Sequence, residues 1–233
     1  MARYVQRLKL RRASYALTLE PQRSITDVAL EAGFASGESF TRAFSRLVGQ
    51  TPSEFRARPG WQLWTERMPL PEYPRTPKMT ITIVEFPETR VAVLEHHGAP
   101  AALMTSVQHF IDWRKKTGLS PVDSCKTIGI PYSDPEQTPP DAFHFDICAE
   151  VFAPVPPNDA GIVNKIIPGG RCARVCHLGS TDRISDSIYP LFQDWLPGSG
   201  EELRDFPIFF HYRKRLPVVA EHEQETDIYL PLK

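Results

Sequence analysis

The chain has 233 residues, 41% hydrophobic and 24% charged, the composition of a globular protein with room for one large domain or two small ones. Its apolar runs are too short for a membrane helix, which needs about 18 residues, and the basic N-terminus lacks the apolar stretch of a signal peptide; with four cysteines, too few for a disulfide framework, a reduced cytoplasmic protein is expected. The net charge of −1 hides a split, because residues 1–78 hold 13 Lys/Arg against 7 Asp/Glu while residues 79–233 hold 14 against 21, as expected of a nucleic-acid module joined to a module with a different partner.

The first 58 residues have helical periodicity. In "SITDVALEAGF" (24–34), Ser24 and Asp27 form a weak capping box. Ala29 and Gly33 are the small residue and turn glycine of two closely crossing helices. Ser36 caps the next helix, in which Phe40, Ala43, Phe44 and Leu47 follow the apolar spacing of a core-facing stripe. The opposite stripe is polar, carrying Glu38, Thr41, Arg42 and Ser45. A helix read in the major groove needs such hydrogen-bonding side chains, with basic residues for phosphates. Ser39 and Arg46 join that stripe as candidate DNA contacts, with Arg56 and Arg58 as further phosphate candidates. Gly49 ends this helix, and "TPSE" (51–54) opens another with Thr51 as cap, Pro52 at the first helical position and Glu54 closing the box.

Residues 59–78 contain five prolines and read as a semi-rigid linker. Beyond it the sequence repeats. "PETRVAVLEHHG" begins at Pro87 and "PGGRCARVCHLG" at Pro168, an offset of 81, and each is followed by a helical stretch ending in "FIDW" (110–113) or "FQDW" (192–195). The second pair is displaced by one more residue, a slip assigned to a loop. Two copies of a β-α-β-β unit forming one α+β domain are expected. His96 and His97, before a glycine, read as surface or strand-end residues. Cys172 and Cys176 share a strand face but stand ~13 Å apart at ~3.3 Å per residue, too far to share one zinc. No metal, cofactor or catalytic triad is assigned, and "GG" at 169–170 lacks the flanks of a phosphate loop. In "PIFFHY" (207–212), alternation puts Ile208, Phe210 and Tyr212 on one face and Phe209 and His211 on the other. It likewise separates Phe143, Phe145, Ile147 and Ala149 from His144, Asp146, Cys148 and Glu150.

These residues carry two resemblances. Residues 24–56 resemble the second helix-turn-helix of AraC/XylS-type transcription regulators, through Ala29 to Phe34 (A-x-x-x-G-F), Glu38 to Phe44 (around S-x-F-x-R-x-F) and Gly49 to Arg56 (G-x-T-P-x-x-F-R). Residues 2–17 look like that family's long linker helix. Met1 falls at its start, so the family's first helix-turn-helix is not in this chain, and weak specific DNA binding is expected, since a single module covers only about 600–1,000 Å².

Residues 79–233 resemble the GyrI-like effector-binding domain, through "RVAVLEHHG", the segment Tyr132 to Pro139 (Y-x-D-P-x-x-T-P), "IPGGRCARVCHLG", "FQDWLPGSG" and the terminal "TDIYLPL". The resemblance implies two β-α-β-β units on an antiparallel sheet, with a cleft for small, often lipophilic and cationic molecules. Relatives also include gyrase-binding proteins and hydrolases of small electrophiles. The family often has a buried glutamate in a P-x-F-E-x-Y strand; here Phe210 holds that position. The effector set implied is Tyr132, Glu150, Trp195, Phe210 and Tyr212, with Glu150 or Glu95 as candidate substitute carboxylates. A DNA-binding regulator (1–58 reader, 59–78 linker, 79–233 effector domain) with a small lipophilic or aromatic ligand is therefore expected. A sequestering protein or hydrolase with a vestigial helical part is the alternative.

Overall fold

A computed structural model describes residues 2–68, 79–135, 138–215 and 218–233. The chain divides into a helical unit (Met1–Pro74 with Arg215–Glu221) and a sheet unit (Arg75–Lys214 with His222–Lys233).

The helices of the first unit are α1 (Ala2–Leu19), α2 (Ile25–Glu31), α3 (Gly37–Val48), α4 (Pro52–Ala57) and α5 (Trp61–Arg67). Local chemistry sets their ends as expected. Ser24 accepts from the Asp27 amide, Ser36 and Ser39 form a reciprocal capping box, and so do Thr51 and Glu54. Gly49 closes α3 in the left-handed region at φ 87°, where a side chain would be strained and would also meet the Arg67 guanidinium. Phe40, Ala43 and Phe44 are buried, but the fourth buried position is Val48, with Leu47 only half-buried. The stripe drifts because 3.6 residues per turn does not divide seven.

A run of edge-on and tilted aromatic pairs forms the core of this unit: Phe34–Phe40, Phe40–Phe44, Phe44–Phe55, Phe55–Trp61 and Trp61–Trp64. The last two links correct the linker expectation. Residues 61–67 of that stretch are helical, because Trp61 and Trp64 bury their rings against Tyr15 of α1 and Trp64 donates to Ser14 Oγ at 2.8 Å. Residues 69–78, with the remaining linker prolines, lie outside the described residues. Residues 215 and 218–221, read as effector domain, also belong with the helices. Glu221 pairs with Arg11 of α1 at 3.1 Å, both almost fully buried, and Arg11 also donates to the Met68 carbonyl and lies 4.5 Å over Trp64. Removing one member of such a pair strands a buried charge, at about 3–5 kcal/mol.

The sheet unit has eight antiparallel strands: β1 (Ile81–Phe86), β2 (Thr89–His97), β3 (Thr127–Pro131), β4 (His144–Glu150), β5 (Ile162–Ile167), β6 (Gly170–Leu178), β7 (Phe209–Lys214) and β8 (Glu225–Pro231). Their order is β1-β6-β8-β7-β3-β4-β2-β5. The 81-residue offset carries β1 onto β5, β2 onto β6 and β4 onto β8. The repeat is therefore one strand longer than expected, β-β-α-β-β. Each copy gives its first strand to the other: β1 pairs with β6 and β5 with β2, in equivalent registers (Ile81↔Val175, Leu94↔Ile162).

The helices of the two copies differ. The first is α6 (Leu103–Thr117); the second is α7 (Ser185–Pro190), a π-helical turn (Leu191–Trp195) and α8 (Leu196–Ser199). The one-residue slip between "FIDW" and "FQDW" lies in this helix and not in a loop. Ser106 and Ser187 are 81 apart, while Phe110 and Phe192 are 82 apart. A π-turn is the form an α-helix takes when it absorbs one extra residue, and Pro190, lacking an N–H, loosens the ladder where this one begins. Both helices pack on one sheet face, over a core that includes Phe110, Trp113, Phe143, Phe145, Ile147, Phe210 and Ile228. The other face contributes a second core to which all eight strands give a residue, among them Phe86, Val93, Ile128, Cys148, Phe209 and Tyr229, so the sheet curls on itself.

Candidate DNA face and effector cleft

In the helical unit the α2 and α3 N-termini border a groove of about 880 Å³ lined by Ile25, Thr26, Ser36, Gly37, Glu38, Thr41 and Arg42. Glu38, Arg42 and Arg46 are exposed and Thr41 is half-buried. The other two candidates are engaged or enclosed. Ser39 Oγ donates to the Ser36 carbonyl and accepts from the Ser36 amide, completing the capping box. Ser45 Oγ is buried without a hydrogen-bond partner among the described residues. Spacing alone does not separate a serine on the groove face from one serving its own helix, although Ser39 three residues after Ser36 matches capping-box spacing.

The effector candidates fall on two faces of the sheet. Phe210 (4% exposed), Tyr212 and Trp195 belong to the helix-side core with Phe145, so the alternation expected for 208–212 holds, with Phe209 in the opposite core. Tyr132 and Glu150 lie on the opposite face. Tyr132 is stacked on His144 (4.3 Å) and donates to Asp146 at 3.1 Å; burial and then the Asp146 charge push its phenol up to about 12. Asp146 also meets Lys165 at 2.7 Å and His144 at 3.1 Å. Glu150 is paired with Lys126 at 2.7 Å; burial raises its carboxyl, but the Lys126 ammonium and amide outweigh that and hold it below the usual range. Glu95, the other substitute considered, is bound to Lys165 at 2.6 Å. Neither carboxylate joins Phe210 and Tyr212. A β-strand directs successive side chains to opposite faces, so position in the strand decided this before any partner was present.

The structure also adds residues that the sequence assigned no role. His96 and His97 stand at the end of β2, one of the two positions read for them, with His97 exposed and His96 buried. The Nδ1 of His96 meets Ser106 Oγ at 2.8 Å and its Nε2 the Ala99 carbonyl at 3.3 Å. His177 repeats this with Ser187 at 2.8 Å and the Ser180 carbonyl at 3.0 Å. A carbonyl only accepts, so Nε2 carries the proton and Nδ1 accepts from the serine. These bonds tie each strand end to its following helix. The recurrence of histidine at offset 81 was the available signal. Cys172 is buried in the far-side core and Cys176 is exposed.

Among the described residues no helix is long and apolar enough to cross a membrane. The model of the GyrI-like small molecule binding domain matches residues 79–233, and a helix-turn-helix domain model matches residues 1–58. "Probable transcriptional regulator YgiV" of Escherichia coli (strain K12) is 45% identical over 154 residues, which cover 66% of this chain and 96% of that protein. "Right origin-binding protein" of the same strain is 39% identical over 67 residues, 29% of this chain and 23% of that protein. The solved EcmrR–DNA complex superposes with a TM-score of 0.58 at 17% identity, covering 92% of this chain and 79% of that one, a likeness of fold. The chain belongs to the GyrI-like small-molecule-binding family and joins that domain to an AraC-type helix-turn-helix, the composition of a DNA-binding transcription regulator.

Proposed function

We propose that this chain is a cytoplasmic regulator whose α3 reads DNA through Glu38, Thr41, Arg42 and Arg46, and whose helix-side cleft binds a small, uncharged aromatic effector against Phe210, Tyr212 and Trp195. One observation carries the ligand class: Phe210 sits in an aromatic core, and none of the helix-side positions on β3, β4, β7 and β8 is acidic. A cation entering there would lose its hydration without a carboxylate to replace it. Effector binding acts on DNA affinity only so far as the effector binds one state of the protein more tightly than another.

The ligand test compares N-phenyl-1-naphthylamine, neutral, with tetraphenylphosphonium, a cation, by fluorescence and calorimetric titration of the full chain. The neutral probe is expected to bind at least tenfold tighter, and Phe210→Glu to reverse the order. Tighter binding of the cation, unchanged by substituting Phe210, overturns this reading. For DNA, Arg42→Ala is expected to weaken binding and to lower the salt dependence by about one counterion. An unchanged affinity and salt dependence in Arg42→Ala would overturn the assignment of α3 as the reading helix.

A further inference from the structure

Two hydroxyl groups lie in the helix-side core of the second repeat without a hydrogen-bond partner among the described residues. Thr226 is fully buried and its Oγ1 makes no bond. Tyr212, half-buried and packed against that core, is its register partner on the adjacent strand, and among the described residues no hydrogen bond engages its hydroxyl. Both face the helix side, because the next pair in the same register phase, Phe210 and Ile228, belongs to that core. The Tyr212 hydroxyl comes to 2.6 Å from where a Cβ at residue 129 would stand, as does the Phe145 ring, so Gly129 is what lets the phenol lie flat on the sheet. The corresponding positions in the first repeat, 81 residues earlier, are Pro131 for Tyr212 and Phe145 for Thr226. The symmetry thus supplies an apolar version of the same fold, and the hydroxyls are not required to build it.

We propose that Tyr212 and Thr226 form a hydrogen-bonding anchor, and that the effector is an aromatic compound bearing an uncharged acceptor, such as a ketone or amide carbonyl, which both hydroxyls meet as donors. This rests on the proposed aromatic cleft and narrows its ligand. A buried hydroxyl without a partner, as at Thr226, is costly, and a site built to bond an acceptor rejects the analogue lacking it, because its own groups stay unpaired. Neither hydroxyl is ionised near neutral pH, since burial raises the Tyr212 phenol further above its usual value, so the anchor suits neutral ligands.

The test uses two probes of one shape, 2-acetylnaphthalene and 2-ethylnaphthalene, titrated into the full chain. The ketone is expected to bind about tenfold tighter, the worth of one to two net hydrogen bonds. Thr226→Val and Tyr212→Phe should each cut that preference severalfold while leaving the hydrocarbon's affinity within about twofold. Thr226→Ser, which keeps the hydroxyl, should retain the preference, and this separates a bonding role from a packing one. Equal affinity for both probes, or a preference unchanged in both hydroxyl deletions, overturns the anchor and leaves the aromatic cleft standing. Failure of both probes to bind the unmodified chain overturns the cleft, and the anchor with it.

Discussion

Gly129 and Phe210 are the same position of the repeat, 81 residues apart, and they are register partners where β3 meets β7 at the seam between the two halves. One half presents bare backbone and the other a buried ring. Pro131 faces Tyr212 across the same symmetry, and Phe145 corresponds to Thr226. The frame behaves differently. The bounds of β1, β2 and β4, the exchanged strands and the histidine–serine ties of His96 and His177 repeat in both halves. Duplication preserved what holds the sheet and helices together and diverged where the halves meet. A divergent centre on a repeated frame is what a binding site needs, since a ligand reads side chains and not the fold.

Phe210→Ala has the largest expected effect on the divergent centre. Removing a buried ring should cost about 3–5 kcal/mol, measured as a shift in the urea transition of the full chain, with sheet amide exchange showing that the loss lies in the sheet unit. Gly129→Ala comes next. Its Cβ would meet the Tyr212 hydroxyl and the Phe145 ring at 2.6 Å, an overpacking worth about 1–3 kcal/mol, and its effect should largely vanish when Tyr212 is also changed to Phe and Phe145 to Leu. Thr226→Val moves the second half toward the apolar first half and relieves an unbonded hydroxyl, so the ligand-free protein should gain about 1 kcal/mol, read as a rise in melting temperature. A loss of stability there would mean that the hydroxyl is bonded in solution.

The smallest effect is one of pH. Burial holds the His177 imidazole below its usual 6.5, against the opposing influence of the Ser180 carbonyl. The folded state then binds a proton less readily than the unfolded chain, so this contribution to stability is complete above that range and is lost as pH falls through it. His211 is depressed for the same first reason. His177→Gln should therefore flatten part of the loss between neutral pH and pH 5, and an unchanged slope would place the titration elsewhere.

Much of this was legible in the sequence where the controlling physics is local. Caps at Ser24, Ser36 and Thr51, the glycine stops and the alternation along 208–212 depend on residues within a few positions of one another. The helix inside the proline-rich stretch was not legible, because Trp61 and Trp64 are fixed against Tyr15, far from them in sequence. The split of the effector candidates was half legible: alternation put Glu150 with Asp146, but nothing local placed Tyr132 on that side.

By itself the sequence determined a helix-turn-helix, a duplicated α+β domain and the absence of an acid at position 210, because caps, periodicity and repeat spacing are written within single segments. Only the tertiary structure decided which strands the two copies exchange, that the extra residue is taken up as a π-turn, and that Tyr212 and Thr226 stand side by side as register partners. Those outcomes depend on register between strands distant in sequence, and register is settled by burying one face of the whole sheet at once.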